Sequence, residues 1–226
     1  MNDLAARILA ALPQTQCTRC GFPDCAGYAQ AIAAGEAGIN QCPPGGAEGI
    51  KRLAAISERA VQPLNPANGV EGPRAVAVID ETWCIGCTVC IEVCPTDAIL
   101  GSNKLMHTVI EHHCTGCELC VPVCPVDCIS LEKVSGGRTG WAAWSPALAD
   151  LARERYAFHD IRTLRAQREN EERLEKKAQQ KLADLPVHSL HTDPEVLDRK
   201  RAVIEAALAR ARERRAARPA EKDSPK

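Results

Sequence analysis

Four cysteines fall within eleven residues, Cys84-x2-Cys87-x2-Cys90-x3-Cys94-Pro95, and the run returns thirty residues later as Cys114-x2-Cys117-x2-Cys120-x3-Cys124-Pro125. Thiols this dense serve a disulfide framework or a metal. A disulfide framework calls for secretion. The start, MNDLAARILAALPQ, has no basic n-region and its short apolar run is broken by Arg7, so it does not read as a signal peptide. No apolar run approaches the roughly 18 residues of a membrane span. The expected setting is cytoplasmic, where thiols stay reduced and bind metal.

Zinc sites usually pair two short cysteine knuckles into one tetrahedral set. Here three thiols sit on one tight loop and the fourth stands three residues on, beside a proline. That is the bacterial ferredoxin spacing, in which the fourth cysteine serves the other cluster. Two copies are then needed, because each lends the other its last ligand. One [4Fe–4S] cluster is expected on Cys84, Cys87, Cys90 and Cys124, the second on Cys94, Cys114, Cys117 and Cys120. Gly86 and Gly116 let the backbone come close with its N–H groups pointing in. Residues 80–99 align with 110–129 with ten identities in twenty. This internal duplication predicts a pseudo-twofold domain. Cys128, the thirteenth cysteine, aligns with Ala98 and is read as a small packed side chain, not a ligand. A further set, Cys17-x2-Cys20-x4-Cys25 with Cys42, holds four thiols with none left over. Spacing alone leaves zinc and a third iron–sulfur cluster open there.

The expected fold is α+β: a small helical Fe–S domain (1–60), a linker (61–75), and a bacterial-type two-[4Fe–4S] ferredoxin domain (76–134). A second linker (135–144), a helical extension (145–217) and a disordered tail (218–226) follow. In the first domain Leu4, Ile8, Leu9 and Leu12 mark one helix face, Asp24 to Ala34 reads as a helix stopped by Gly35, and Ala47 to Ala60 as a third. Val76–Ile79, Met106–Ile110 and Ile129–Leu131 read as strands, and the segment after the third cysteine of each run as a short helix. Ser145-Pro146 starts a long helix to about Leu182, with Leu148, Leu151, Phe158, Ile161 and Leu164 on one side. Asp184-Leu185-Pro186 and Asp193-Pro194 suggest a turn and a restart, hence an αα-hairpin.

Residues 13–132 closely resemble the B subunits of the Rnf (Rsx) electron transport complexes, ferredoxin:NAD-linked, ion-translocating oxidoreductases of bacterial inner membranes. The resemblance is carried by Leu12-Pro13-Gln14-Thr15-Gln16-Cys17, Cys20-Gly21-Phe22-Pro23-Asp24-Cys25, Asn40-Gln41-Cys42-Pro43-Pro44-Gly45-Gly46, Val76–Glu81 and Met106-His107-Thr108-Val109, besides both cysteine runs. It implies a third [4Fe–4S] cluster on Cys17, Cys20, Cys25 and Cys42, so three in all. It also implies single-electron exchange with a ferredoxin or flavodoxin, or with redox partner subunits of a membrane complex. Family members usually begin with a membrane-spanning helix. No such run precedes Cys17, so attachment to the inner membrane is expected only through partners, peripherally on its cytoplasmic face. A stand-alone polyferredoxin is the alternative.

No nucleotide-binding glycine fingerprint and no nucleophile–base constellation is present, so no catalytic residue is expected. Up to residue 144 there are 9 Lys and Arg against 14 Asp and Glu; after it, 19 against 15. The basic tail raises nucleic-acid binding as a competing function. Its acids are interleaved with its bases and its only aromatics are Tyr156 and Phe158, so a solvated helical surface is the preferred reading. Trp83, beside Cys84, is expected to shield a cluster. Trp141 and Trp144 are expected to anchor the tail. His107, His112 and His113 are read as packed or exposed side chains in preference to cluster-tuning ones.

Overall fold

The computed structural model describes residues 3–217; the expected disordered tail lies outside them. The chain divides into two units, one ending at Ile161 and the other starting at Arg162. That division falls inside a helix, not at the expected boundary between 144 and 145.

Three helices open the first unit: α1 (Asp3–Ala11), α2 (Cys25–Ala34) and α3 (Gly46–Ser57). Asp24 caps α2 by accepting the Gly27 N–H at 2.6 Å, and Gly35 ends it in the left-handed region at φ 82°. Ile8, Leu12, Tyr28, Ile32 and Leu53 are sealed between the helices. Each such side chain contributes about 1.5–3 kcal/mol. Tyr28 also steers the chain: its hydroxyl donates to Gly38 O at 2.8 Å and accepts from Gln41 N at 3.0 Å, which fixes the approach to Cys42.

The proline-rich segment 61–75 is pinned. Asn40 Nδ2 donates to Pro63 O at 2.8 Å, Asn68 Nδ2 to Arg19 O at 2.9 Å, and Glu71 accepts from Ala47 N and from Thr139 Oγ1. Beyond it, β1 (Ala75–Ile79) pairs antiparallel with β4 (Ile129–Lys133), and β2 (Ile99–Leu100) with β3 (Thr108–Val109). Two-stranded sheets are marginal in water by themselves. The buried side chains between these two are few and include Cys90, Cys94, Cys114 and Cys120. A domain so poor in apolar filling needs another staple.

Two local expectations change. Only the first cysteine run carries a helix at its third cysteine, α4 (Val89–Glu92), which contains Cys90. Glu92 N donates to Thr88 O there, whereas the matching residue of the second run is Pro122, which has no N–H to give. The strand expected over Met106–Ile110 shortens to Thr108–Val109, because His107 N donates to a cysteine sulfur instead of a strand.

The first unit closes with α5 (Gly140–Ala143) and the opening turns of α6 (Pro146–Ala183). Ser145 Oγ accepts from Leu148 N as expected of a cap, and Trp144 Nε1 donates to Pro13 O at 2.9 Å. Ala149 and Ala152 are buried. Arg155 donates to Thr96 O and Asp97 O, and Tyr156 Oη to Asp24 Oδ2. Phe158 and Ile161, expected on an apolar stripe, are half exposed.

In the second unit the rest of α6 runs beside α7 (Pro194–Ala216), which Asp193 caps through Glu195 N. Glu175 accepts from Arg212 at 2.8 Å and pairs with Arg215 at 2.9 Å; Lys200 Nζ donates to Ser189 Oγ. Leu185 is buried at the turn, while α7 buries no residue. Charge pairs and an apolar seam through Leu174, Ile204 and Leu208 link the two helices. No helix among the described residues is long and apolar enough to cross a membrane.

Candidate metal centres

The thiols gather in three sets, each built from turns whose backbone is wound into the left-handed region. In the ferredoxin-like part the windings match residue for residue across the duplication. Gly86 and Gly116 have φ 68° and 70°, Thr88 and Glu118 68° and 67°, Asp97 and Asp127 48° and 50°. At the glycines a side chain has no room: a Cβ on Gly116 would lie 2.3 Å from Ala75 O, and one on Gly86 2.5 Å from Leu105 N. Peptide N–H groups reach the sulfurs, from just after the windings at Asp97 and Asp127 and from Ala77 in β1 and His107 before β3. Cys114 Sγ accepts from Ala77 N and Cys84 Sγ from His107 N, both at 3.4 Å. Cys94 Sγ accepts from Ala98 N at 3.2 Å, and Cys124 Sγ from Cys128 N at 3.4 Å.

Two small hollows result. One is walled by Cys114, Cys117 and Cys120 together with Cys94, among Ala77, Ala98, Ile99 and Leu131. The other is walled by Cys84, Cys87 and Cys90 together with Cys124, among Ile79, Val126, Ile129 and His107. The fourth cysteine of each run thus lines the hollow of the other run's three. Cys128 lines the second hollow as well, its Sγ 3.5 Å from Cys124 Sγ.

The third set lies in the helical part. Gln14, Thr15 and Gln16 are buried, and Gln16 Oε1 accepts from Cys25 N at 2.9 Å. Gln14, Gln16 and Thr18 all have positive φ, so this loop curls tightly before Cys20. Cys42 arrives on the turn that starts α3, where a Cβ on Gly45 would sit 3.4 Å from its sulfur. The four thiols are close enough to disfavour one another's ionisation. Burial, then the Cys25, Cys17 and Cys20 thiols, push Cys42 well above the usual thiol range.

Electrostatics define what fits these places. Burial pushes the Cys25, Cys117 and Cys120 thiols up to about 12 and Cys90 to about 11, with neighbouring thiols adding to it. Cys124 runs the other way: N–H donors from Val126 and Cys128 and the Cys128 thiol outweigh burial and lower it. Buried thiols so raised become thiolates only beside a compensating cation. An all-sulfur donor set with apolar walls and inward N–H groups suits an iron–sulfur cluster.

Two loops of different sets touch. Thr115 Oγ1, buried, donates to Thr15 O at 3.0 Å, and Arg19 pairs with Glu118 at 2.5 Å. Arg74 Nη2 donates to Cys114 O at 3.0 Å.

A family model of the 4Fe-4S dicluster domain matches residues 77–131, and one described as "Putative Fe-S cluster" matches residues 12–44. The B subunit of the ion-translocating oxidoreductase complex of Azoarcus sp. (strain BH72) is 61% identical over 133 residues, 59% of this chain and 73% of that one. Its counterpart in Pseudomonas paraeruginosa is 52% identical over 159 residues, 69% of this chain and 82% of that one. The counterpart in Alkalilimnicola ehrlichii is 52% identical over 158 residues, 69% and 84%. The chain belongs to the family of these B subunits. No solved structure matches it.

One reading of a single side chain changes, that of Trp83, while His107 is packed as read. Trp83 is 69% exposed and stands outside the wall of its hollow, so it shields nothing. The side chain that does fill that wall is His107, 1% exposed, with Nδ1 3.4 Å from Cys90 Sγ. The sequence shows only that the residue thirty positions earlier, three before the aligned stretch, is Ala77, not that the ring is buried.

Proposed function

We propose that this B subunit, an iron–sulfur electron-transfer subunit of an Rnf-like complex, carries three [4Fe–4S] clusters. The proposed ligands are Cys17, Cys20, Cys25 and Cys42; Cys84, Cys87, Cys90 and Cys124; and Cys94, Cys114, Cys117 and Cys120. Each cluster supplies storage for one electron. The chain's own residues do the rest. They bury the sulfurs, aim N–H groups at them, and exclude water with Ile79, Ile99 and Ile129. The exchange of fourth cysteines between the two hollows is the observation that carries the reading. Cys128 stays a neighbour that hydrogen-bonds Cys124, not a ligand. The paired windings and paired N–H donors support a pseudo-twofold ferredoxin domain. The hydrogen bond from Thr115 to Thr15 supports an order in which the helical set adjoins the Cys114 set, with the Cys84 set beyond. Redox partners are the other subunits of the complex, with a ferredoxin or flavodoxin as the outside donor or acceptor. Attachment to the membrane is peripheral, through those subunits.

Anaerobic reconstitution of the full chain is expected to give roughly twelve irons, four per cubane. Cys124→Ala is expected to remove the cluster of the Cys84 loop, and Cys94→Ala that of the Cys114 loop. Zinc without iron would end this reading. If each of these variants lost the cluster of its own loop instead, the crossed assignment would be wrong.

A further inference from the structure

The two ferredoxin-like hollows differ at several stations, Ala98 against Cys128 and Thr96 against Val126 among them, and one of these differences sets a ring against a ligand sulfur. Ala77 and His107 stand thirty residues apart, and the backbone N–H of each donates to the first cysteine of a run, Cys114 and Cys84 respectively. Beyond the backbone they diverge. Ala77 turns a methyl group to its hollow and His107 an imidazole to the other. The facing strand is altered to match. Ala77 pairs with Leu131. His107 faces Gly101, one step past the Leu100–Thr108 pair, and a Cβ on Gly101 would lie 2.0 Å from His107 Cδ2. Small faces large on one side, and large faces small on the other. This is a seat made for a ring, at a cost in chain entropy that Gly101 incurs.

The ring's proton can be assigned from its surroundings. His107 Nε2 is buried and has no hydrogen-bond partner among the described residues. A proton there would leave a buried donor orphaned and set the Nδ1 lone pair against the lone pairs of Cys90 Sγ. A proton on Nδ1 gives Cys90 an N–H donor and leaves only an acceptor unmatched, which is the cheaper fault.

We infer that His107 donates Nδ1–H to Cys90 Sγ and thereby raises the potential of the cluster held by Cys84, Cys87, Cys90 and Cys124, and of that cluster alone. The inference rests on the ligand assignment proposed above. The reduced cluster carries one more negative charge, so a fixed N–H dipole at a ligating sulfur favours it. The duplicated half has a methyl at this station and so lacks this hydrogen bond; Cys128 in place of Ala98 is a second difference, which a change at His107 leaves untouched. His107 is a positioning residue in this role: it acts through Cys90.

The test is a redox titration of the reconstituted full chain followed by EPR, comparing wild type with His107→Ala. One midpoint is expected to fall, with a reduced-to-oxidised ratio at the wild-type midpoint lower by up to about tenfold, which is about 59 mV for one electron. The other signals stay in place, and the imidazole nitrogen coupling seen by pulsed EPR on that cluster is lost while the peptide nitrogen couplings remain. Should His107→Ala lose iron, His107→Asn and His107→Leu take its place. Asn keeps a donor and is expected to titrate above Leu, which fills the seat without one. Clusters of normal content with unmoved midpoints, or equal midpoints for the Asn and Leu variants, overturn the inference while leaving the ligand assignment standing. Iron signals that all survive Cys90→Ala instead overturn the assignment itself.

Discussion

At the scale of residues, the loops that hold the thiols are set by what they cannot contain. Gly116 is left-handed at φ 70° and its missing Cβ would press on Ala75 O at 2.3 Å. An alanine there costs about 1–2 kcal/mol for the conformation alone. The overlap adds to that, because the obstacle is backbone of β1 and not a movable side chain. Gly116→Ala is therefore expected to lower stability by roughly 2–4 kcal/mol and to release the iron of the Cys114 loop, read as roughly four irons fewer per chain. Gly137→Ala, with open space around the position, is the control and is expected to stay within about 0.5 kcal/mol. The glycines and the crossed cysteines are legible in the sequence because spacing encodes them. The burial of His107 is not, because it depends on Gly101 across a two-residue ladder that pattern reading does not detect. Trp83 misleads for a related reason: adjacency to Cys84 in sequence says nothing of which way a turn throws the next side chain.

At the scale of elements, helix ends are legible in the sequence and helix faces are not. Asp24, Gly35, Ser145 and Asp193 cap or stop helices as their chemistry demands. The stripe through Phe158, Ile161 and Leu164 has the spacing of a buried face, yet all three are exposed by more than a third. Periodicity reports that a face exists, not that anything covers it. Charge pairs help hold the hairpin of the second unit. Hydrogen bonding from Arg212 and the nearby Arg215 keep the Glu175 carboxyl below the ordinary value of 4.5. A carboxyl lowered on folding adds stability at pH above its unfolded value and gives it up as pH falls through its folded one. Wild type is thus expected to hold its hairpin helicity better than Glu175→Gln at pH 6. The two are expected to converge as acid protonates Glu175, and also in high salt, since the pair is open to solvent. Far-UV circular dichroism of both proteins between pH 6 and 3 reads this difference. A gap that persists unchanged at pH 3 would show that the carboxylate is not what Arg212 and Arg215 hold.

At the scale of the whole molecule, the division after Ile161 changes what the C-terminal part is. The Ser135-Gly136-Gly137 linker and the Ser145 cap suggest an extension beginning at Ser145. The first four turns of α6 instead belong with the metal-binding unit. Arg155 satisfies two carbonyls, Thr96 O and Asp97 O, at the turn after Cys94, and Tyr156 reaches the Asp24 carboxylate that caps α2 beside Cys25. One stretch of helix therefore braces two thiol-bearing turns. Each hydrogen bond contributes about 1 kcal/mol, and the burial of Ala149 and Ala152 adds to it. A chain ending at Trp144 is expected to lose roughly 2–4 kcal/mol, or roughly 5–15 °C in thermal midpoint for a unit of this size, and to lose iron faster in air. A chain ending at Ile161 keeps those braces and is expected to match the full chain in iron content, visible spectrum and thermal midpoint of cluster loss. If both truncations behave alike, the braces do nothing, and the helix from Pro146 onward is an appendage after all. If only the shorter chain fails, the part free to serve other subunits begins at Arg162, and its partners are to be sought with the hairpin alone removed.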